Sequence, residues 1–492
     1  MRHCSAGPQR CQRPLARPVD RYHLIPAGQE ALRLLRPVQS LCSAPGPELW
    51  IEREVSQASF RRTDCRGLIT ALAHWRDRQV AIVWNDFRVE AGSFGHANAR
   101  RFVAFLNHLA GMPGRVPLIY VVSSAGVSMM EGRSAFAHAF ALWPALRRYA
   151  KDHPVMTCAT GRCLGLAPLL FGLGHYRVAV AGATQLNLTG PEVLRAFFGA
   201  SIDFDQCASA ERGFGRNDLV HELVPSVEAA MDQFAALLAS PPVGAWPADL
   251  GPATRALLAS FLDGPPREVM AGGCARVRLF LGVRRGIRLG VFVNPLERSD
   301  NLVTVRTLAK YSAGLDLMQA LRLPIVSCLD SPGVDPRFEQ SDANNIRTML
   351  QVGGQVISYP HGMMGVVTRR CFGGASTLSF PKVFGGTRAV ALRGATIGMM
   401  HDRIVGQLLA GSPRLLAQWQ AVAARQGPEL EDLLADGTLD AVVRADQLAG
   451  EVDRFIAAVR KPRLHRTRRS TGVPVLALRR VGPRLVPPEQ AR

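Results

Sequence analysis

The feature that most constrains this chain is a short segment it carries twice. Arg162-Cys163-Leu164-Gly165-Leu166-Ala167 returns about 208 residues later as Arg370-Cys371-Phe372-Gly373-Gly374-Ala375. Each copy follows an apolar run that ends near a threonine, Val155-Met156-Thr157-Cys158-Ala159-Thr160 and Met364-Gly365-Val366-Val367-Thr368. An apolar run, then small residues, then a renewed apolar pattern predicts a strand that turns sharply into a helix. Such a turn leaves backbone N–H groups without carbonyl partners at a helix start, where they can hold negative charge developing on a substrate oxygen.

Two further correspondences fall near the same offset. Ser124-x-Gly126-Val127 matches Ser331-x-Gly333-Val334, and Gly215-x-x-Asp218-x-Val220 matches Gly437-x-x-Asp440-x-Val442. The predicted elements follow one order in both halves. In the first, strands at 80–84 and 117–122 enclose a helix with Phe102, Phe105, Leu106 and Leu109 at helical spacing. A helix at 135–149, the first hexapeptide with its helix, a strand at 176–180 and an apolar helix around Phe234 come next. In the second, strands at 290–293 and 324–329 enclose a helix at 303–321. A further helix, the second hexapeptide, a strand at 389–392 and a helix around Phe455 complete it. The expectation is an internally duplicated α/β unit of roughly 200 residues. Its predicted parts are a basic disordered leader at 1–45, domains at 46–240 and 241–460 joined through a Pro- and Gly-rich interval, and a basic disordered tail at 461–492.

Charge has to be located before it is interpreted. Of the formal +20, about +5 lies in residues 1–45 and about +8 in 461–492, so the predicted domains are only mildly basic and nucleic acid is not an expected partner. An apolar fraction of 47% with 20% charged residues is ordinary for a globular protein, and no run of about 18 residues is free of strongly polar groups. The N-terminal stretch lacks the apolar core of a secretory signal, and the expected compartment is the cytoplasm. The 10 cysteines contain no C-x-x-C pair, so neither a zinc ribbon nor a disulfide framework is indicated, and no metal is expected.

Glycine at both turns of each half is what close backbone approach to a ligand requires. The bland alternative is that glycine merely permits tight strand-to-helix packing; its recurrence at matching offsets in both halves favours paired oxyanion sites. Cys163 and Cys371 sit in these turns and are candidate thiolate nucleophiles, but buried cysteine as a small hydrophobe is commoner, and no partner His or acid is tied to either by spacing. His153 and His361 precede the two hexapeptides with no metal-ligand spacing.

With these residues in view, residues 80–460 resemble the carboxyltransferase subunits, of the beta type, of biotin-dependent acyl-CoA carboxylases. The landmarks are Gly92-Ser93-Phe94-Gly95, the Ser-x-Gly turn followed by Glu131-Gly132, and Leu188-Thr189-Gly190-Pro191 in the first half. In the second they are Asn294-Pro295, Asp330-Ser331-Pro332-Gly333-Val334 with Glu339-Gln340, Ile346-Arg347, and Phe372-Gly373-Gly374-Ala375.

The resemblance implies a duplicated crotonase-like ββα superhelix. The first half would bind an acyl-CoA or acyl-carrier thioester, and the second would bind carboxybiotin borne by a partner protein. Amides near Gly374 and Ala375, supported by Gly333 and Val334, would hold the ureido oxygen of biotin. Those near Gly165 and Leu166, supported by Gly126 and Val127, would hold the thioester oxygen as the α-carbon becomes an enolate. It further implies a biotin carboxylase and a biotin carboxyl carrier as partners, and a homo-oligomer built from dimers, up to a hexamer, whose active site joins halves of different subunits.

Ser128 stands where the family usually has Arg, and Leu166 where it usually has a second Gly, so the Leu166 side chain is expected to crowd the thioester. Ser376 and Thr377 occupy positions near which acyl selectivity is set. Two alternatives stand beside carboxyl transfer: biotin-independent decarboxylation of a malonyl-type thioester, and a non-catalytic structural paralogue.

Overall fold

A computed structural model describes residues 61–460 apart from 76–77, 192, 195–202, 215–218, 240–243, 338, 341–343, 401 and 424–429. The leader, the tail and the start of the first Gly-x-x-Asp motif, residues 215–218, lie outside the described residues.

The first half forms one sheet. Strands β1 (Arg61–Cys65), β2 (Leu68–Trp75) and β3 (Arg78–Asn85) make an antiparallel meander. Parallel strands β4 (Leu118–Ser124), β5 (Val155–Leu164), β6 (Tyr176–Val180) and β8 (Glu222–Val224) extend it, while β7 (Gln185–Asn187) pairs with the far end of β5. The second half repeats this plan. β9 (Arg267–Val269), β10 (Arg278–Arg284) and β11 (Ile287–Val293) are antiparallel. β12 (Ile325–Ser331), β13 (Met363–Phe372), β14 (Arg388–Leu392) and β16 (Ala441–Val443) run parallel, and β15 (Thr396–Gly398) pairs with the end of β13. Both central ladders break register at one place, between Val122 and Ser124 and between Leu329 and Ser331, just before the Ser-x-Gly turns.

Alternation along the strands decides the layers. In β3, Val80, Ile82 and Trp84 face one side and Ala81 and Val83 the other, as a strand buried on both faces must do. The outer face of the first sheet carries the helices His96–Ala110, Leu142–Asp152 and Leu166–Gly172. Phe102, Leu106 and Leu109 are the buried stripe of the first of these. Between the two sheets lie Val227–Leu238, from the first half, and Val305–Ala320, from the second, in a core common to both. Their starts are fixed by Ser226 and Thr304, whose side chains accept the N–H groups of Ala229 and Thr307. Pro252–Ala259 and Leu448–Arg460 cover the outer face of the second sheet. Phe234 and Phe292, fully buried in the common core, each contribute about 2 kcal/mol of apolar burial. Arg115 ties the halves by donating from Nη2 to Ala320 O at 2.8 Å.

Three local expectations change. The helix predicted at 135–149 is two, Arg133–Phe140 and Leu142–Asp152, meeting at Ala141. The second hexapeptide runs into the 3-10 turn Gly373–Ser379 instead of an α-helix. The antiparallel pairs that open each sheet, β1–β2 and β2–β3 in the first and β9–β10 and β10–β11 in the second, were not anticipated.

Candidate functional site

The two hexapeptides end equivalent strands, at the carboxyl edge of each parallel sheet, where ligands of open α/β sheets bind. Strand β5 changes partner from β6 to β7 across Gly161, whose φ is +69°, and the chain then turns at Gly165, φ +61°, into Leu166–Gly172. In the second half Gly373, φ +53°, makes the equivalent turn. These positive values favour glycine.

Each hexapeptide turn packs on the Ser-x-Gly turn of its own half. A Cβ on Gly126 would lie 3.0 Å from Leu164 O and 3.4 Å from Gly165 Cα, and one on Gly374 would lie 2.9 Å from Val334 Cγ2. Parallel bridges hold the Ser-x-Gly turns from behind. Phe94 N–H donates to Gly126 O at 2.8 Å and Ser128 N–H to Phe94 O at 2.9 Å; in the second half Val303 N–H donates to Gly333 O and Asp335 N–H to Val303 O, both at 2.9 Å. This bridging pattern turns the amides of Val127 and Val334 away from their neighbours Phe94 and Val303.

Not every expected amide can meet a ligand. Gly126 and Gly333 donate to Ser124 Oγ and Ser331 Oγ within their own turns, at 3.1 and 3.3 Å. Gly165 donates to Asn187 O at 3.1 Å, so its N–H is engaged by β7. Leu166 opens its helix, and Gly374 is the second residue of the 3-10 segment, so neither amide has a carbonyl partner within its own helix; Ala375, the third residue of that segment, closes its first i to i+3 bond to the Phe372 carbonyl. The geometry thus reduces the candidate donors to Val127 with Leu166 in one half and Val334 with Gly374 in the other.

Leu166, expected to crowd the thioester, has a buried side chain. Its side chain is 2% exposed and belongs to the outer core of the first half. Ser128 is buried, and Thr377 is half-buried, its Cγ2 4.0 Å from where a Cβ on Gly353 would stand. Cys163 and Cys371 are buried, and burial pushes their thiols up to about 12 and about 11. Protonated and enclosed, they act as small hydrophobes. His153 is buried and stacks on Tyr149, with ring centroids 4.2 Å apart.

The two sites differ in what stands behind them. In the second half the fully buried Asp330 accepts from Arg370 Nε at 2.8 Å and from Arg369 Nη2 at 2.5 Å. Burial opposes its ionisation, but the bonds from Arg370 and Arg369 outweigh that and hold its carboxyl below the usual range. In the first half Ser123 and Gly161 lie behind the turn instead, and a Cβ on Gly161 would be 3.1 Å from Ser123 Oγ. Sequence reading missed this frame because the Asp and its arginines lie on adjacent strands.

A second group of polar residues also escaped it: His96, Glu131 and Ser134, beside the Val127 turn. His96 Nε2 lies 2.8 Å from Ser134 Oγ, and His96 Nδ1 is hydrogen-bonded to Glu131 Oε2. Among the described residues, no group of three or more His, Cys, Asp or Glu side chains could hold a metal ion, and no helix is long and apolar enough to cross a membrane.

Two sheets of identical strand order, each turning twice through glycine at its carboxyl edge, define a duplicated crotonase-like ββα architecture. Residues 51–249 match the family model of the carboxyl transferase domain. It is 22% identical over 436 residues to the propionyl-CoA carboxylase beta chain of Saccharopolyspora erythraea, covering 79% of this chain and 80% of that one. It is also 22% identical over 362 residues to the propionyl-CoA carboxylase carboxyltransferase subunit of Haloferax mediterranei, covering 68% and 69%. Among solved structures, transcarboxylase 12S with hydrolysed methylmalonyl-coenzyme A bound superposes with a TM-score of 0.70 at 18% identity, over 83% of this chain and 88% of that one.

Proposed function

We propose that this protein is the carboxyltransferase component of an acyl-CoA carboxylase, moving a carboxyl group from biotin on a partner protein to the α-carbon of an acyl-CoA thioester. The observation that carries this reading is the pair of equivalent glycine turns, one at the carboxyl edge of each sheet.

The first domain, 46–240, is assigned to the acyl thioester. Val127 and Leu166 N–H groups converge on the thioester oxygen and stabilise it as the α-carbon takes on carbanion character. The second domain, 241–460, is assigned to biotin, which when bound supplies the carboxyl group on its ureido ring. The exposed glycines Gly373 and Gly374 leave room for that ring, and Val334 and Gly374 N–H groups hold its oxygen. Each such donor is worth about 3 kcal/mol in a site closed to water. No cysteine thiolate is required.

Biotin carboxylase and biotin carboxyl carrier partners supply the charged biotin, and the working form is a homo-oligomer in which the first half of one subunit faces the second half of another. Exposed Met129, Met130 and Phe136 on the first half, and Ile346, Leu350 and Val383 on the second, suit such a contact.

The test is incubation of the protein with methylmalonyl-CoA, with and without free biotin, following the carboxyl group. Biotin-dependent transfer supports the proposal. Loss of the carboxyl group without biotin would mean a decarboxylase, and no loss a structural paralogue.

A further inference from the structure

Beside the acyl-side turn, three side chains from separate segments form a relay that carboxyl transfer does not use. We propose that Ser134, His96 and Glu131 constitute a nucleophilic acyl-transfer site that hydrolyses activated acyl esters and thioesters without biotin.

The hydrogen bonds fix the tautomer. Glu131 Oε2 accepts from both His96 N–H, at 2.6 Å, and His96 Nδ1–H. His96 Nε2 therefore carries a lone pair, and it lies 2.8 Å from Ser134 Oγ, whose hydroxyl donates to it. Glu131 is itself held by Arg66, whose Nη1 donates to Oε1 at 2.5 Å, and its carboxyl is kept below the usual range chiefly by the His96 amide. Glycine at position 95 permits the placement, because any Cβ there would overlap the Glu131 carboxylate. A nucleophile, a base within hydrogen-bond reach and a carboxylate orienting that base are the three parts such catalysis needs.

Ser134 is exposed, so an acyl group can reach its hydroxyl. Ser134 sits at the second position of the helix Arg133–Phe140, so its own amide and that of Arg133 have no carbonyl four residues back and can receive the oxyanion. In the step proposed, Ser134 Oγ bonds to the acyl carbonyl carbon and its proton passes to His96 Nε2. The C–S or C–O bond breaks, and the leaving thiolate or alkoxide takes that proton. Water, deprotonated by the same nitrogen, then releases the carboxylic acid and restores the serine. Ser134 and His96 are the catalytic residues here, and Glu131 is a positioning residue.

The experiment uses the full chain with no biotin or carrier present, so it is independent of the carboxyl-transfer proposal. Hydrolysis of p-nitrophenyl butyrate is measured, and an alkyl fluorophosphonate is followed by intact mass and peptide mapping. One adduct on the peptide containing Ser134 is expected, with adduct and hydrolysis both lost in Ser134→Ala. His96→Gln is expected to slow labelling by about 10²- to 10⁴-fold. Glu131→Gln is expected to slow labelling, and Glu131→Asp, which keeps the carboxylate, to restore part of the rate. No adduct on the wild type, an adduct that persists in Ser134→Ala, or wild-type labelling in Glu131→Gln would each overturn the proposal.

Discussion

Acidification should loosen the first sheet well before the second. His175 Nδ1 accepts Val155 N–H at 3.0 Å, and His221 Nδ1 accepts Arg177 N–H at 3.2 Å, so each imidazole closes the start of a parallel strand. A proton on either Nδ1 would set N–H against N–H. Burial, and then the charge of Arg177, push His175 down to about 4, and the same causes in the same order, joined by Lys310, push the buried His221 well down. At the equivalent places the second sheet uses Thr387 Oγ1, which accepts Met363 N–H at 3.3 Å, and Asp440 Oδ2, which accepts Ala389 N–H at 2.9 Å.

The sign follows from which state binds the proton. Below about pH 6.5 an unfolded histidine protonates while the folded one does not, so stability present above that pH is lost as pH falls. For His175 the loss is about 1.36 kcal/mol per pH unit, or about 2 kcal/mol at pH 5, with His221 adding in the same direction. Asp440 is held below its ordinary value, despite burial, by the Ala389 amide and Lys382, so its contribution is present above about pH 4 and lost only below it. Hydrogen exchange read by mass spectrometry at pH 7 and pH 5, corrected for intrinsic rates, should show peptides of β5 and β6 losing protection by about 30-fold or more while those of β13 and β14 hold. Equal losses in both sheets, or an unchanged pH response in His175→Asn, would refute the reasoning.

Other outcomes follow from the two turns. Gly374→Ala forces a Cβ against Val334 Cγ2, and carboxyl transfer to biotin should fall by about 10²- to 10³-fold with methylmalonyl-CoA binding, read by calorimetry, retained. Asp330→Asn leaves the partly exposed Arg369 and Arg370 facing a neutral group and should cost about 1.5 kcal/mol in urea unfolding. Iodoacetamide at pH 8 should leave Cys163 and Cys371 unmodified in the native protein while the exposed Cys207 reacts, and Cys371→Ala should keep transfer within about threefold of wild type. A large loss in Cys371→Ala would restore the nucleophile hypothesis.

The repeat was legible because each turn needs glycine at a fixed place on a strand buried on both faces, which leaves a local pattern of letters. The antiparallel hairpins were not, although their signal is there. Arg66-Gly67 and Arg285-Gly286 both have positive φ at the two central residues, as tight strand-reversing turns require, but arginine before glycine is a weak mark of such a turn. The arginines at the ends of β10 also broke the apolar run that a buried strand shows. Of the site, the sequence marked the glycines but not which amides remain available, because Gly165 is engaged by Asn187 on a strand too short to predict. The Ser134 relay joins residues up to 38 positions apart, a proximity that only the folded turns create.

Leu166 shows how the twin turns could diverge. Its side chain leaves through the back of the turn into the core of its own half, whereas any side chain on Gly374 would strike Val334 at the front. Selection acting on the first turn is thus free to retailor the packing behind an amide without moving the amide itself. The second turn has no such latitude, and among homologues its glycine should be the slower of the two to change.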